Sequence, residues 1–152
     1  MSTGDCFIKI DQVPGEAEDE DHKGEIQVSA WNWGMNANLS EGTPTGRADV
    51  HMLEFFHMVD SASAGLMQRC VENKVVPTAT LTMRRAGEHD AAGKPLHYLC
   101  ITLSSVRIAE VKLLHDAQNV IPLERVRLAF EKVSFDYTAQ SAKGSAGSGK
   151  KG

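Results

Sequence analysis

Apolar and polar residues alternate with a period of two along most of this 152-residue chain, the repeat of a strand with one covered face. Phe7-Ile8-Lys9-Ile10 opens the first such run, and Val13-Pro14-Gly15 closes it with a turn signal. Further on, Ile26, Val28 and Ala30 share one face, whereas Trp31 and Trp33 fall on the other. A strand changes face only through an extra residue or a bend, so a bulge is expected there. The same switch separates Val126, Leu128 and Phe130 from Val133, Phe135 and Tyr137, with Glu131-Lys132 between. Residues 80–84 alternate cleanly. So does the run in which Leu99, Ile101 and Leu103 align, and a shift is expected at Ser104-Ser105 before Val106 and Ile108. Residues 50–59 are apolar on both parities, which suggests cover on both faces. Strands that curve in this way predict a mainly β fold, a small antiparallel β-barrel.

One segment has helical spacing instead. Asp60-Ser61-Ala62-Ser63 offers capping oxygens, and Leu66, Met67, Cys70 and Val71 then form one apolar stripe. Asn73 and Lys74 suit its end, and Pro77 forbids continuation. Residues 35–47 are rich in Asn, Ser, Gly, Thr and Pro and are expected as a long loop, a length usually kept for function. Residues 139–152, low in complexity, are expected as a flexible tail, which leaves 1–138 as a single β domain.

Composition narrows the classes of function. The net charge of −4 includes an acidic run, Glu16, Glu18, Asp19, Glu20 and Asp21, expected as a solvated loop. Lys143, Lys150 and Lys151 lie in the tail, so the body is more acidic than the whole and has no footprint for nucleic acid. The spacing of Cys6, Cys70 and Cys100 fits neither a disulfide framework nor a zinc site, and all three are expected as buried reduced thiols of a protein folded in the cytoplasm. The first residues lack the basic start and apolar core of a signal peptide. No stretch approaches the ~20 apolar residues of a membrane helix, so no membrane insertion is expected.

The chemical motifs dissolve on inspection. Gly144 to Lys151 nearly spells a phosphate-binding loop, but the residue after Lys150 is Lys151 rather than Ser or Thr, and no helix can follow. His51 and His57 are six residues apart in a β-like run, not one helical turn apart as zinc-binding helices require. No nucleophile elbow or carboxylate pair stands out. No catalytic residue, metal or cofactor is expected, and the chain reads as no enzyme.

The order of short motifs is more specific. His22-Lys23-Gly24-Glu25 is followed by Trp31-Asn32-Trp33-Gly34, the Asp60-Ser61 helix start, Pro77-Thr78-Ala79-Thr80-Leu81 and Phe130-Glu131-Lys132-Val133. This series resembles the Hcp (haemolysin-coregulated protein) family of bacterial type VI secretion over nearly the whole chain. Gln12 stands where that family commonly has glycine. The resemblance implies a homohexameric ring and stacked rings that form an exported inner tube. It also implies a VgrG-type spike, a contractile sheath and small effector proteins as partners, and export without a cleavable signal. The 35–47 segment is then the candidate subunit or ring interface, through Met35, Asn36, Asn38, Leu39, Glu41, Thr43, Pro44 and Arg47. A monomeric small-ligand-binding barrel and an exported enzyme are the competing readings.

Overall fold

The computed structural model describes residues 5–89, 91–93, 95–118, 120–140 and 146–151. The first strands are β1 (Cys6–Ile10), β2 (Ile26–Gln27) and β3 (Ala30–Asn32). Four short ones follow, β4 (Met35–Asn36), β5 (Leu39–Ser40), β6 (Thr43–Pro44) and β7 (Asp49–Val50), then β8 (Leu53–Met58). The helix α1 (Ala62–Glu72) leads to the long strands β9 (Val75–His89) and β10 (Pro95–Leu114), then to β11 (Leu123–Ala129), β12 (Lys132–Gln140) and β13 (Ala146–Lys151).

The main sheet is antiparallel and runs β2–β1–β9–β10–β11–β8–β3, with β12 on the first half of β10 and β13 on β12. Its two ends, β2 and β3, are successive pieces of one stretch. Val28 N–H donates to Cys6 O on one side, and Ser29 N–H donates to Phe56 O on the other. The sheet therefore rolls until one bent strand spans both ends, rather than closing through a continuous ladder as a strict barrel would. The face switch expected between Val28 and Trp31 falls where the chain changes partner. It comes one residue early, and Ala30 is exposed rather than aligned with Val28.

The other two switches lie side by side. Ser105, with φ +53°, falls between the pairs Ser104–Thr78 and Val106–Val76, opposite Pro77. On the other edge Glu131 N–H donates to Ser104 O, in the gap between β11 and β12. At this level β9 passes from buried Val76 to buried Ala79 and Leu81, and β10 from Ile101 and Leu103 to Val106 and Ile108. β11 and β12 pass from buried Val126 and Leu128 to half-buried Val133 and Phe135. Three neighbouring strands thus turn one corner together, and each keeps an apolar face inward on both sides of it.

The helix packs on β10 and covers the core with Ala62, Ser63 and Leu66. Leu66 and Cys70 of the expected stripe face the core, but Val71 is 86% exposed, because the buried face extends toward the N-terminus through Ala62 and Ser63. Asp60 Oδ1 accepts from Ala62 N–H at 2.8 Å, while Ser63 Oγ accepts from Asp60 N–H at 3.1 Å. This reciprocal cap satisfies the amides on either side of Ser61, at the entrance to the helix. Asn73 ends the helix in the left-handed region that Asn tolerates.

Three expectations change. Residues 35–50 form a hairpin rather than a loop. Cover of residues 50–59 on both faces is incomplete, since Val50, Met52 and Met58 are exposed. Ala139 and Gln140 end β12, and 146–151 pairs with it. Of the three free thiols only Cys6 is buried, which pushes its pKa up to about 12; Cys70 and Cys100 are half-exposed.

Candidate assembly surface

The hairpin is built from its own turn outward. Glu41 and Gly42 both have positive φ, +51° and +83°, the two-residue turn whose twist suits a hairpin. Leu39 pairs with Pro44 and Ser40 with Thr43, and further down Met35 pairs with Val50 and Asn36 with Asp49. Polar side chains tie its base: His51 Nε2 is 2.7 Å from Asn36 Oδ1, and Trp33 Nε1 donates to His51 O at 2.9 Å. Asn38 Nδ2 donates to the carbonyl of Arg47 across the two arms.

All eight candidate interface residues therefore lie on this one hairpin. Asn38 is half-buried and the other seven are exposed. Its apolar members stay uncovered: Met35 is 57% exposed, Leu39 56% and Val50 52%, with Met52 beyond them at 44%. Isolated exposed apolar residues are ordinary, whereas these four lie close together in sequence, on the hairpin or just beyond it.

The motif residues fall in two places. Trp31, Trp33 and Gly34 lead into the hairpin, and Trp31 Nε1 points at Met83 Sδ, 3.3 Å away. The others form a turn: Gly24 has φ +80°, Lys23 is exposed, and His22 is buried beside half-buried Glu25. That turn folds back on Gly15, whose N–H donates to Gly24 O, and a Cβ on Gly15 would meet Glu25 O at 2.6 Å. The acidic run is not merely solvated. Asp19 is bound to the Arg84 guanidinium, which holds its carboxyl below the ordinary value, and Glu16 Oε2 accepts from Ser61 N–H at the helix start.

One polar pair escaped the sequence. His57 and Glu124 are both fully buried, facing each other across β8 and β11. The signal was present in the parity, because His57 shares a face with Leu53 and Phe55, and Glu124 with Val126 and Leu128. Among the described residues no three His, Cys, Asp or Glu side chains gather as a metal set. No helix of the described residues is long and apolar enough to cross a membrane.

Residues 7–137 match the family described as "Type VI secretion system effector, Hcp". Over 144 residues the chain is 36% identical to protein hcp1 of Pseudomonas aeruginosa, covering 92% of this chain and 86% of that one. The fold is similar to the crystal structure of a type VI secretion system effector from Yersinia pestis, with a TM-score of 0.75 and 32% identity over 97% of this chain and 98% of that one. It is likewise similar to Hcp1 from Salmonella typhimurium, with a TM-score of 0.75 and 33% identity over 98% and 92% of the two chains. The overall fold is thus shared with solved type VI secretion proteins. The chain belongs to the Hcp family.

Proposed function

We propose that this chain is the structural subunit of a type VI inner tube, six copies closing a ring and rings stacking into a tube. The subunit is made in the cytoplasm and exported through the machine without a cleavable signal. In this reading the tube carries a VgrG-type spike, sits within a contractile sheath, and holds small effector proteins in its lumen.

The observation that carries the reading is the hairpin of residues 35–50, which leaves Met35, Leu39 and Val50 about half exposed on an element outside the core. Covering one such side chain fully contributes roughly 1.5–3 kcal/mol. A copy placed head to tail can cover them, and head-to-tail contacts close into a ring when the rotation divides evenly. A stable contact buries roughly 1,200–2,000 Å². The ligand-binding reading has less support, because Ile8, Ile26, Phe55, Leu81, Ile101, Leu103 and Leu128 fill the interior of the rolled sheet.

Electron microscopy of the purified chain tests the reading. Annular particles with a central hole, some stacked end to end, are expected. Compact particles without a hole at every concentration would contradict it.

A further inference from the structure

Two imidazoles join the loop of residues 11–25 to the sheet. His22 Nε2 lies 2.7 Å from His97 Nε2, and His22 Nδ1 lies 2.9 Å from Glu25 Oε1. His22 is only 5% exposed and lies flat on Phe7, with ring centroids 4.3 Å apart, so its ring has one orientation. His97, half-buried at the start of β10, pairs in register with Arg84 of β9. The charged groups that face the pair are Glu25, Asp21 and Asp19 on the loop and Arg84 on the sheet, the last also bound to Asp5 ahead of β1.

Counting protons decides what this contact tolerates. An ionised Glu25 only accepts, so the hydrogen between it and His22 belongs to Nδ1. With both rings neutral, His97 Nε2–H donates to His22 Nε2 and the chain of hydrogen bonds is complete. One added proton is accommodated at the free Nδ1 of His97, a single hydrogen still lies between the two Nε2 atoms, and the chain is still complete. A second proton puts N–H groups on both Nε2 atoms, facing each other with no acceptor between them and two like charges in contact.

We propose that His22 and His97 form an acid-released latch, which holds the 11–25 loop on the sheet until the pair takes up its second proton. Burial, with the nearby His22 and Arg84, depresses the pKa of His97 below its ordinary 6.5, so that second proton binds only in mild acid. The sign follows: a histidine whose folded pKa is depressed binds fewer protons in the folded state. Its share of stability is full above pH 6.5 and falls as pH drops below that. Release frees the loop bonds from Ala17 N–H to Glu25 O and from Gly24 N–H to Ala17 O. It also frees Glu16 from the start of α1, so the helix end is coupled to the latch.

Amide hydrogen exchange of the full chain, corrected for intrinsic rates, tests the latch between about pH 7.5 and about pH 4.5. Protection at Ala17 and Gly24 should fall about tenfold with a midpoint below the ordinary histidine value, while Ile8 and Ile101 stay protected. His97→Gln supplies an amide N–H to His22 Nε2 and cannot titrate, so it should keep the loop protected throughout. Constant protection in the parent overturns the proposal, as does a His97→Gln loop that opens at the parent's pH. Histidine ring shifts of the unsubstituted chain give a second reading. Two separated steps, the later one below the ordinary value, support the latch, and two independent titrations at the ordinary value overturn it.

Discussion

His57 Nε2 lies 2.7 Å from Glu124 Oε1, and neither side chain reaches solvent. The two face each other in register across β8 and β11, two residues along the strands from the Phe55–Val126 pair of the core. Asp60 Oδ1, which caps the helix, is 3.8 Å from the other ring nitrogen. The pair therefore fixes the end of β8 beneath the helix start. Removing one partner leaves the other buried without its hydrogen bond, which costs about 3 kcal/mol or more. Glu124→Ala should lower unfolding free energy by roughly that amount in urea titrations, and Glu124→Gln, which keeps an acceptor oxygen, should lose less. Equal midpoints for the Ala variant and the parent would show that the pair holds nothing.

Gln12 occupies the turn after β1 with φ +67°. A side chain in that region costs about 1–2 kcal/mol, of which glycine's greater freedom in the unfolded chain offsets roughly half. Gln12→Gly should therefore raise stability by about 0.5–1 kcal/mol, read as an increase in thermal midpoint. A lower midpoint would mean that the Gln12 side chain contributes more than its backbone costs.

The bond to Arg84 depresses the pKa of Asp19 below its ordinary 3.8. A carboxylate with a depressed folded pKa stabilises above its unfolded value and loses that contribution as pH falls through the folded one. The parent's melting temperature should drop between about pH 5 and about pH 3, and Asp19→Asn should drop less over the same interval. Parallel curves would assign the acid loss to other groups, Glu54 among them, whose pKa is lowered by hydrogen bonds from Asn32 and Arg127.

The corner was legible in the sequence at Ser105 and Glu131, though not at Pro77, because an inward face must stay apolar on both sides of a bend. Parity alone therefore exposes the switches at Ser104-Ser105 and Glu131-Lys132. The hairpin was less so. Its polar composition reads as loop, and only the Glu41-Gly42 turn between two short paired runs distinguishes it. The helix stripe missed its N-terminal part because Ala62 and Ser63 are small and mark no apolar face, although they are residues that the sheet covers. His22 belonged to a legible motif, but its partner His97 lies 75 positions away and only the fold brings them together.

The proposed ring puts the hairpin in a subunit contact. Met35 and Leu39 are exposed and make no part of the core, so replacing both with Asp should leave the circular-dichroism spectrum β-rich. Placed in a subunit contact, the two new charges would be desolvated and would weaken association at least tenfold. Unchanged association would remove the hairpin from the interface.

Native mass spectrometry of the unsubstituted chain tests the ring most directly. At micromolar concentration the expected mass is that of six copies of the 16.5 kDa chain, without a ladder of smaller species. A single peak at the monomer mass across that range would contradict the ring, and with it the tube.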